Sequence, residues 1–158
     1  MKTAIILSDT HGNIKDLKKL LQVIEETDYI IHLGDGENDL NFLPENEKSK
    51  LIQVKGNCDG GMLPTERVIE IEGVKIFMTH GHNYSVKGSL YKLLSKGKEL
   101  GVQMCLYGHN HTANIETVDG ITLINPGTVY KYSATKSYCY CVFYDGKVVS
   151  KLNFDAFI

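Results

Sequence analysis

Five short apolar runs, each followed at once by polar residues that can bind metal, constrain this chain more than any other feature. Short apolar runs bounded by glycine are typical of buried strands in an α/β sheet, where ligands gather beyond the carboxyl ends of the strands. The polar residues at the five ends are Asp9 and His11, Asp35, Asn57, His80, and His109 with His111. Packing alone does not account for this pattern. It predicts one polar basin that holds metal.

Length and composition predict one domain that spans residues 1–158. A chain of 158 residues can bury a sizeable core, and a charged fraction of 23% is ordinary for a globular protein. The formal net charge of −2 gives no general attraction to nucleic acid or to an anionic membrane, so neither is expected as a partner. No signal peptide or stretch of transmembrane length is visible, which indicates a cytoplasmic protein.

The first third of the chain has a β-α-β-α-β pattern. Strands are predicted over roughly Thr3–Leu7, Tyr29–Leu33 and Leu51–Val54. Asn13 is expected to cap a helix between the first two strands. A short helix over Glu37–Phe42 and a polar loop over Pro44–Glu47 are expected between the second and third.

The rest of the chain is predicted to be largely antiparallel. A hairpin is expected around Gly73, and a second helix over Leu90–Leu100 is expected to end at Gly101. The pairs Asp119-Gly120 and Asp145-Gly146 predict two further hairpin turns. This order of elements favours an α/β fold in which two mixed β-sheets pack as a sandwich flanked by helices.

The spacing of the polar residues suits metal binding. Asp9 and His11 are two residues apart, as are His109 and His111, and in an extended chain such pairs point to the same side. Each pair could therefore address one centre. Asp35 follows a glycine, where its carboxylate could bridge two ions.

The ligand types indicate which metals are expected. Carboxylate, amide and imidazole groups, with no thiolate among them, suit Mn, Fe, Zn, Ni or Co. Seven ligands exceed the four of a closed structural zinc site. They match two ions that share a bridging group, as in two-metal hydrolases.

The ordered motifs Asp9-x-His11, Gly34-Asp35, Gly56-Asn57, His80 and Gly108-His109-x-His111 resemble the signature of the calcineurin-like metallophosphoesterases. The resemblance spans about residues 3 to 130 of the chain. The compact length, and the cysteine after Gly-Asn, are most similar to the small YfcE-type phosphodiesterases. The resemblance implies the calcineurin-like metallophosphoesterase fold.

The resemblance also implies roles for the site residues. The first metal would be held by Asp9, His11 and His111, and the second by Asn57, His80 and His109, with Asp35 as the bridge. Two divalent ions are implied, Mn²⁺ first among them, with a metal-bridging hydroxide attacking phosphorus. Asn57 is also counted among the catalytic residues.

The identity of a general acid is open. Many family members carry a histidine after Gly-Asn, where it can protonate the leaving group, whereas this chain has Cys58. A thiol with a pKa near about 8.5 is a poorer acid partner. His82, two residues from His80, is the candidate substitute.

Several nearby residues have structural interpretations. His32 is expected to be a core histidine or one that supports a metal ligand without binding metal itself. Asp59 is expected to be either a turn residue or one that orients Asn57. The segment Asn125–Thr128 is interpreted as an ordinary turn in preference to an active-site loop. Three cysteines within apolar runs are expected to be buried and structural: Cys105, Cys139 and Cys141.

The predicted function is hydrolysis of a small phosphodiester, with homo-oligomerisation left open. The alternative is a protein-interaction scaffold of the same fold, as in the small retromer subunit, whose metal site is impaired. The complete set of seven ligands favours the enzyme. A nuclease is disfavoured, because duplex binding usually requires clustered lysine and arginine.

Overall fold

Two five-stranded β-sheets lie face to face in the computed structural model, which describes residues 1–158. The strands are β1 Lys2–Leu7, β2 Tyr29–His32, β3 Leu51–Gln53, β4 Glu66–Ile71, β5 Val74–Thr79, β6 Met104–Leu106, β7 Asn114–Val118, β8 Ile121–Asn125, β9 Tyr138–Tyr144 and β10 Lys147–Asn153. The α-helices are α1 Ile14–Leu17, α2 Leu21–Glu26, α3 Glu45–Lys48 and α4 Tyr91–Leu100, with 3₁₀ turns at Lys18–Leu20, His82–Tyr84 and Asp155–Phe157. The predicted α/β architecture of two mixed sheets is confirmed.

The strand order brings the predicted ligands to one side of the molecule. The first sheet has the order β10-β9-β1-β2-β3, and the second has the order β4-β5-β6-β8-β7. The strands β1, β2 and β3 are parallel, as are β5, β6 and β8. Parallel neighbours place their carboxyl ends at the same edge of a sheet. The predicted metal ligands lie in the loops that leave these ends.

Strand β1 is apolar throughout its second half because both of its faces are covered. Ala4 and Ile6 lie in the core between the two sheets, together with side chains from β5, β6 and β8. Ile5 and Leu7 point to the opposite face and pack against Leu17 and its helical neighbours. On the far side of the molecule, α4 covers the outer face of the second sheet. Buried side chains therefore fix the strand ends from both sides.

Two predictions for the segment between β2 and β3 are wrong. Residues Glu37–Phe42 form consecutive turns instead of a helix, and the Asp39 carboxylate accepts hydrogen bonds from Thr10 and Gly12 on the preceding ligand loop. The predicted polar loop instead forms helix α3. Pro44 precedes α3, and its fixed φ angle suits a helix start.

The predicted caps and reversals are confirmed. The Asn13 side chain accepts a hydrogen bond from the Asp16 N–H, as expected of a helix cap, although a 3₁₀ turn divides the helix into α1 and α2. Gly101 ends α4 with a left-handed φ of 66°. Hairpin turns occur where predicted, at Gly73, Asp119-Gly120 and Asp145-Gly146. No helix has both the length and the apolar character needed to cross a membrane.

The three cysteines that were predicted to be structural are buried, and all four cysteines are free. Cys105 packs beneath α4, and burial raises the pKa of its thiol to about 12. Cys139 and Cys141 belong to the core between the sheets. These thiols therefore contribute apolar packing, as expected.

His32 is a fully buried core histidine at the end of β2, as predicted. The Gly34 N–H donates to its Nδ1 at 3.2 Å, so the proton of the neutral ring lies on Nε2. Nε2 then donates to the Thr10 hydroxyl at 3.0 Å, and that hydroxyl donates to Asp39. This chain of hydrogen bonds uses the neutral ring, and burial lowers the pKa of His32 below 6.5.

We predict that protonation of His32 destabilises the metal-free protein. Its folded pKa is lowered, so below about pH 6.5 the unfolded chain binds more protons at this position than the native chain does. The free energy of unfolding of the wild type, minus that of His32→Gln, should shrink between pH 7.5 and 5.5, by at most about 1.4 kcal/mol per pH unit. Urea unfolding at each pH measures this difference. A difference independent of pH would contradict the prediction.

Candidate metal centre

Five of the seven predicted ligands have a left-handed backbone, which residues other than glycine rarely adopt. Their φ angles lie between 42° and 72°, and the residues are Asp9, His11, Asp35, His109 and His111. Each such residue costs on the order of 1–3 kcal/mol, and persists only where its surroundings enforce it. The predicted reason for the two-residue spacing, an extended chain, is therefore wrong. Tight turns direct these side chains.

Hydrogen bonds between neighbouring loops enforce the turns. The Asp9 N–H donates to the Gly34 carbonyl, and the His11 N–H donates to the Asp35 carbonyl, both at 3.0 Å. The loop that follows β1 is thus joined to the loop that follows β2. Each ligand loop is held by its neighbour, which explains how the left-handed residues are retained.

Glycines allow the loops to approach this closely. A Cβ atom on Gly34 would lie 2.6 Å from the backbone nitrogen of Gly56, and one on Gly108 would lie 2.1 Å from the Ser8 hydroxyl oxygen. Gly34 also has a φ of 103°, which disfavours other residues. The glycines before Asp35, Asn57 and His109 are therefore required by contact between backbones and neighbouring side chains.

The first group of candidate ligands consists of Asp9, His11 and His111. Asp9 is fully buried, and its Oδ1 lies 3.1 Å from His111 Nε2 and 3.7 Å from His11 Nε2. Its Oδ2 accepts hydrogen bonds from the Ser8 hydroxyl and the His109 N–H. Oδ1 has no hydrogen-bond partner. A buried anionic oxygen without a partner, beside two imidazole nitrogens, is suited to a bound cation.

The second group consists of Asp35, His80 and His109. His80 Nε2 lies 3.2 Å from Asp35 Oδ2 and 3.2 Å from His109 Nδ1. On its other side, His80 Nδ1 donates to the Leu33 carbonyl at 2.7 Å. This bond leaves Nε2 of the neutral ring with a lone pair directed at the group. Metal-binding histidines are commonly oriented by such a hydrogen bond.

Asp35 lies between the two groups. Its Oδ2 is 3.8 Å from His11 Nε2 in the first group and 3.2 Å from His80 Nε2 in the second. Its Oδ1 accepts a hydrogen bond from the Cys58 N–H at 2.8 Å. A carboxylate in this position can reach both groups. His109 and His111 lie in different groups, so this pair does not share one group.

Asn57 makes no hydrogen bond to either group. Its side chain is exposed, and its amide nitrogen donates to Cys58 Sγ at 3.5 Å. The Cys58 sulfur lies within 4.8 Å of ligand atoms of His11 and Asp35. Burial, followed by the charge of Asp35, raises the pKa of Cys58. The thiol is therefore protonated at neutral pH, and metal binding by Asn57 stays a prediction.

The centre combines two ionised carboxylates with several imidazole rings. Burial raises the pKa of Asp9, but the surrounding imidazoles of His11, His111 and His80 outweigh burial and hold that pKa far below its ordinary range. The pKa of His80 is raised because Asp35 and Asp9 outweigh the effect of burial. Ionised carboxylates that favour positive charge on a neighbouring ring provide the electrostatic conditions for cation binding.

His82 begins the 3₁₀ turn after β5 and lies beside the second group. Its ring centroid is 5.5 Å from that of His80 and 6.1 Å from that of His109. Its Nδ1 is buried and has no hydrogen-bond partner. Burial, and then the charge of His80, lower the pKa of His82. The ring is therefore neutral at pH 7, so His82 could act as a hydrogen-bond donor more readily than as a strong acid.

The segment Asn125–Thr128 is more than the ordinary turn that the sequence favoured. The Asn125 amide donates to the Gly108 carbonyl at 3.3 Å and to Asn110 Oδ1 at 2.7 Å. The Thr128 hydroxyl donates to the Asp9 carbonyl at 2.8 Å. The segment, which begins at the end of β8, thus holds the ligand loops after β1 and β6 in place.

Tyr130 lies beside the first group, which its residue type alone does not predict. Its ring centroid lies 5.3 Å from that of His11 and 6.1 Å from that of His111. The only available signal was its position two residues after the segment that ends at Thr128. The aromatic ring forms one wall of the first group.

Asp59 connects the loops that follow β2 and β3. Its carboxylate accepts four backbone N–H groups at 2.8 to 3.2 Å, those of Asp35, Gly36, Glu37 and Gly56. These donors outweigh burial and lower the pKa of Asp59. Of the two interpretations left open, an orienting role is closer to the structure, but Asp59 orients the Asp35 loop instead of the Asn57 side chain.

Comparison with known proteins identifies the class. The family model for the calcineurin-like phosphoesterase superfamily domain matches residues 1–145. The chain belongs to this metallophosphoesterase family. It is 35% identical over 127 residues to the probable metallophosphoesterase YsnB of Bacillus subtilis, covering 79% of this chain and 73% of that protein. It is 30% identical over 150 residues to the phosphodiesterase MJ0936 of Methanocaldococcus jannaschii, covering 80% of this chain and 84% of that protein.

Solved structures share the same fold. A conserved uncharacterized protein and predicted phosphoesterase from Streptococcus pneumoniae TIGR4 matches with a TM-score of 0.80 and 26% identity, covering 97% of this chain and 89% of that chain. A single mutant of Vps29 from Entamoeba histolytica matches with a TM-score of 0.78, 20% identity and coverage of 96% and 98%. At 20% identity, the match to Vps29 shows only that the two proteins share a fold.

We predict that Asp59→Asn destabilises the fold and weakens metal binding. Asparagine retains one acceptor oxygen and turns an NH₂ donor toward backbone N–H groups that need an acceptor. The free energy of unfolding should fall by about 2–4 kcal/mol, and affinity for Mn²⁺ by about 10–100-fold. Urea unfolding and calorimetric titration with Mn²⁺ measure the two effects.

Asp145→Asn is the matched control, because Asp145 lies exposed in a hairpin turn far along the chain from the ligands. It should change stability by less than about 0.5 kcal/mol. Equal behaviour of the two variants would refute the orienting role of Asp59.

Proposed function

We propose that this single domain, residues 1–158, is a cytoplasmic two-metal phosphodiesterase that acts on small phosphodiesters. The observation that carries the proposal is the pairing of two ligand groups around Asp35, with the buried Asp9 Oδ1 left without a partner. The first metal would be held by Asp9, His11 and His111. The second would be held by His80 and His109, with Asn57 after a side-chain rearrangement, and Asp35 would bridge the two.

The donor set suits the proposed ions. Carboxylate oxygens and imidazole nitrogens bind Mn²⁺, as well as Fe, Zn, Ni or Co. When bound, two such ions would neutralise phosphate oxygens and make water nucleophilic near neutral pH. The protein supplies the orientation. Hydrogen bonds from His109 N–H to Asp9 and from Cys58 N–H to Asp35 hold each carboxylate with one oxygen directed at the centre.

The preference for diesters over monoesters rests on two observations. One relative is named a phosphodiesterase. In addition, the His11 and His111 side chains retain 23% and 36% of their exposure, so the centre opens to solvent on their side. An open centre can admit a phosphate that carries two substituents.

A protein-interaction scaffold is the second candidate, because Vps29 structures share this fold. Six of the seven predicted ligands converge in two groups here, which supports the enzyme. A measurement of hydrolysis distinguishes the two functions, whereas metal binding does not, since a scaffold with this fold could still bind metal.

We predict that metal-stripped protein is inactive and regains hydrolysis of bis(p-nitrophenyl) phosphate when Mn²⁺ is added. The diester should be hydrolysed with a higher kcat/KM than p-nitrophenyl phosphate. Two bound ions per chain, counted by calorimetry or elemental analysis, are expected. A folded protein that shows no activity with any divalent metal would favour the scaffold.

Asp35→Asn and His111→Ala serve as paired variants for this measurement. Each should reduce kcat by at least about 10²-fold, the usual effect of losing one stabilising group at a reacting centre. Their far-UV circular dichroism should match that of the wild type, because neither side chain packs in the apolar cores. Unchanged turnover in both would exclude the two-metal assignment.

We further predict that His82 assists departure of the leaving group. His82→Ala should slow diesters with alkoxide leaving groups by about 10²-fold, the usual effect of losing one hydrogen-bond donor to a developing anion. It should leave p-nitrophenyl esters nearly unchanged, because p-nitrophenolate is a stable anion that departs without such a bond. The ratio of kcat for the two substrates reports the effect. If both substrates respond equally, His82 has a different role.

A further inference from the structure

Two cavities of opposite character flank the candidate centre. One, of about 250 Å³, is lined by His11 and by the residues that follow β2 and β3. The other, of about 370 Å³, begins at His111 and extends toward Phe154. Since His11 and His111 belong to the same ligand group, each cavity has one wall formed by a candidate ligand of the centre.

The smaller cavity is acidic. Its lining includes the carboxylates of Asp35, Glu37, Asp39 and Asp59. These groups accept hydrogen bonds from the backbone, as Glu37 does from the N–H groups of Gly60 and Gly61. No lysine or arginine lines this cavity. Its negative walls are suited to cations and water, and unfavourable for further negative charge.

The larger cavity is lined by no lysine, arginine, aspartate or glutamate, and its hydroxyl groups are largely committed as donors. The Ser133 hydroxyl donates to the Thr135 carbonyl at 2.8 Å, and the Ser137 hydroxyl donates to the Pro126 carbonyl at 2.7 Å. Toward a ligand, these hydroxyl oxygens can therefore act only as hydrogen-bond acceptors. A ligand that donates hydrogen bonds is favoured over one that only accepts them.

The far end of the larger cavity is apolar. Phe154 is 41% exposed, and with Ala134 and Thr135 it also lines an adjoining cavity of about 180 Å³. Lys136 lines that adjoining cavity, but its ammonium is paired with Asp16 at 3.6 Å. A second phosphate group would therefore find no free cation here. An exposed aromatic ring offers a face against which a flat group can pack.

We propose that the larger cavity binds the organic substituent of the phosphate ester, and that this substituent is uncharged, rich in hydrogen-bond donors and able to pack one face on Phe154. Nucleosides and glycosyl groups share this chemistry. The inference rests on the proposed function, because the phosphate itself would lie at the metal centre.

Ligand binding, measured separately from hydrolysis, tests the proposal. Calorimetry on the Mn²⁺-loaded protein compares inorganic phosphate, adenosine 5′-monophosphate and glucose 1-phosphate. All three present a phosphate, but only the last two carry a substituent. At least one of them should bind about tenfold more tightly than inorganic phosphate, the order expected for one ring packed on an aromatic side chain. Which one gains affinity distinguishes a nucleoside from a sugar.

Two variants test whether the higher affinity relative to inorganic phosphate arises in the larger cavity. Phe154→Ala removes the aromatic wall, and Ala134→Leu adds bulk at an exposed position that lines the cavity. Both should abolish the tenfold advantage and leave the affinity for inorganic phosphate unchanged. Phe154→Trp should retain the advantage. Tyr91→Ala, which removes an exposed aromatic ring at a different cavity, is the matched control.

The outcomes separate this inference from the proposed function. Equal affinity for the three ligands, or an advantage that survives both variants, overturns the cavity assignment even if diesters are hydrolysed. Selective binding without any hydrolysis upholds the cavity and rejects the phosphodiesterase. Failure to bind any of the three ligands overturns the cavity assignment, and the hydrolysis of diesters then decides the proposed function by itself.

Discussion

Repulsion between two ionised carboxylates, those of Asp9 and Asp35, is the constraint on which the rest of the site depends. Both carboxylates are buried, and both burial and the charge of Asp9 oppose ionisation of Asp35, although His80 and the Cys58 N–H outweigh them and lower its pKa. The structure offsets that repulsion locally, with a backbone N–H and a histidine ring at each carboxylate. Hydrogen bonds alone leave Asp9 Oδ1 without a partner. A buried anionic oxygen without a partner is suited to a bound cation.

The sandwich makes this concentration of charge tolerable. Its apolar layers fix the strand ends, so the loops need only short segments to reach one another. The cost of left-handed residues is then offset by the bonds between loops, such as that from Asp9 N–H to Gly34. At the candidate site, the left-handed backbone strain lies in the loops that direct the ligand side chains. The strands beneath them remain regular.

Much of the fold could be predicted because its signals are local. Apolar runs, the Asn13 cap, the Gly101 stop and the Asp-Gly turns each depend on a few neighbouring residues. The errors came from contacts between distant segments. Glu37–Phe42 does not form a helix. Asp39 in this segment accepts hydrogen bonds from Thr10 and Gly12, and the hydrophobic periodicity of the sequence does not predict contacts with such distant residues.

The candidate site shows the same division. The ligand types and their order along the chain were readable, and six of the seven residues meet in two groups. Their backbone conformation was not readable, since it is imposed by loops from other strands. The bracing role of Thr128 was missed for the same reason, because Thr128 bonds to Asp9, 119 residues away.

The distribution of the ligands over the two sheets has a consequence for cooperativity. Asp9, His11 and Asp35 leave strands of the first sheet, whereas His80, His109 and His111 leave strands of the second. A cation held by both sets would cross-link the two sheets through their ligand loops, and no disulfide does so, since all four cysteines are free. Separation of the sheets, a motion that could otherwise occur before global unfolding, would then require loss of the cation. Amide exchange in β2 and β6 would thereby become coupled, and two layers would open and close as one unit.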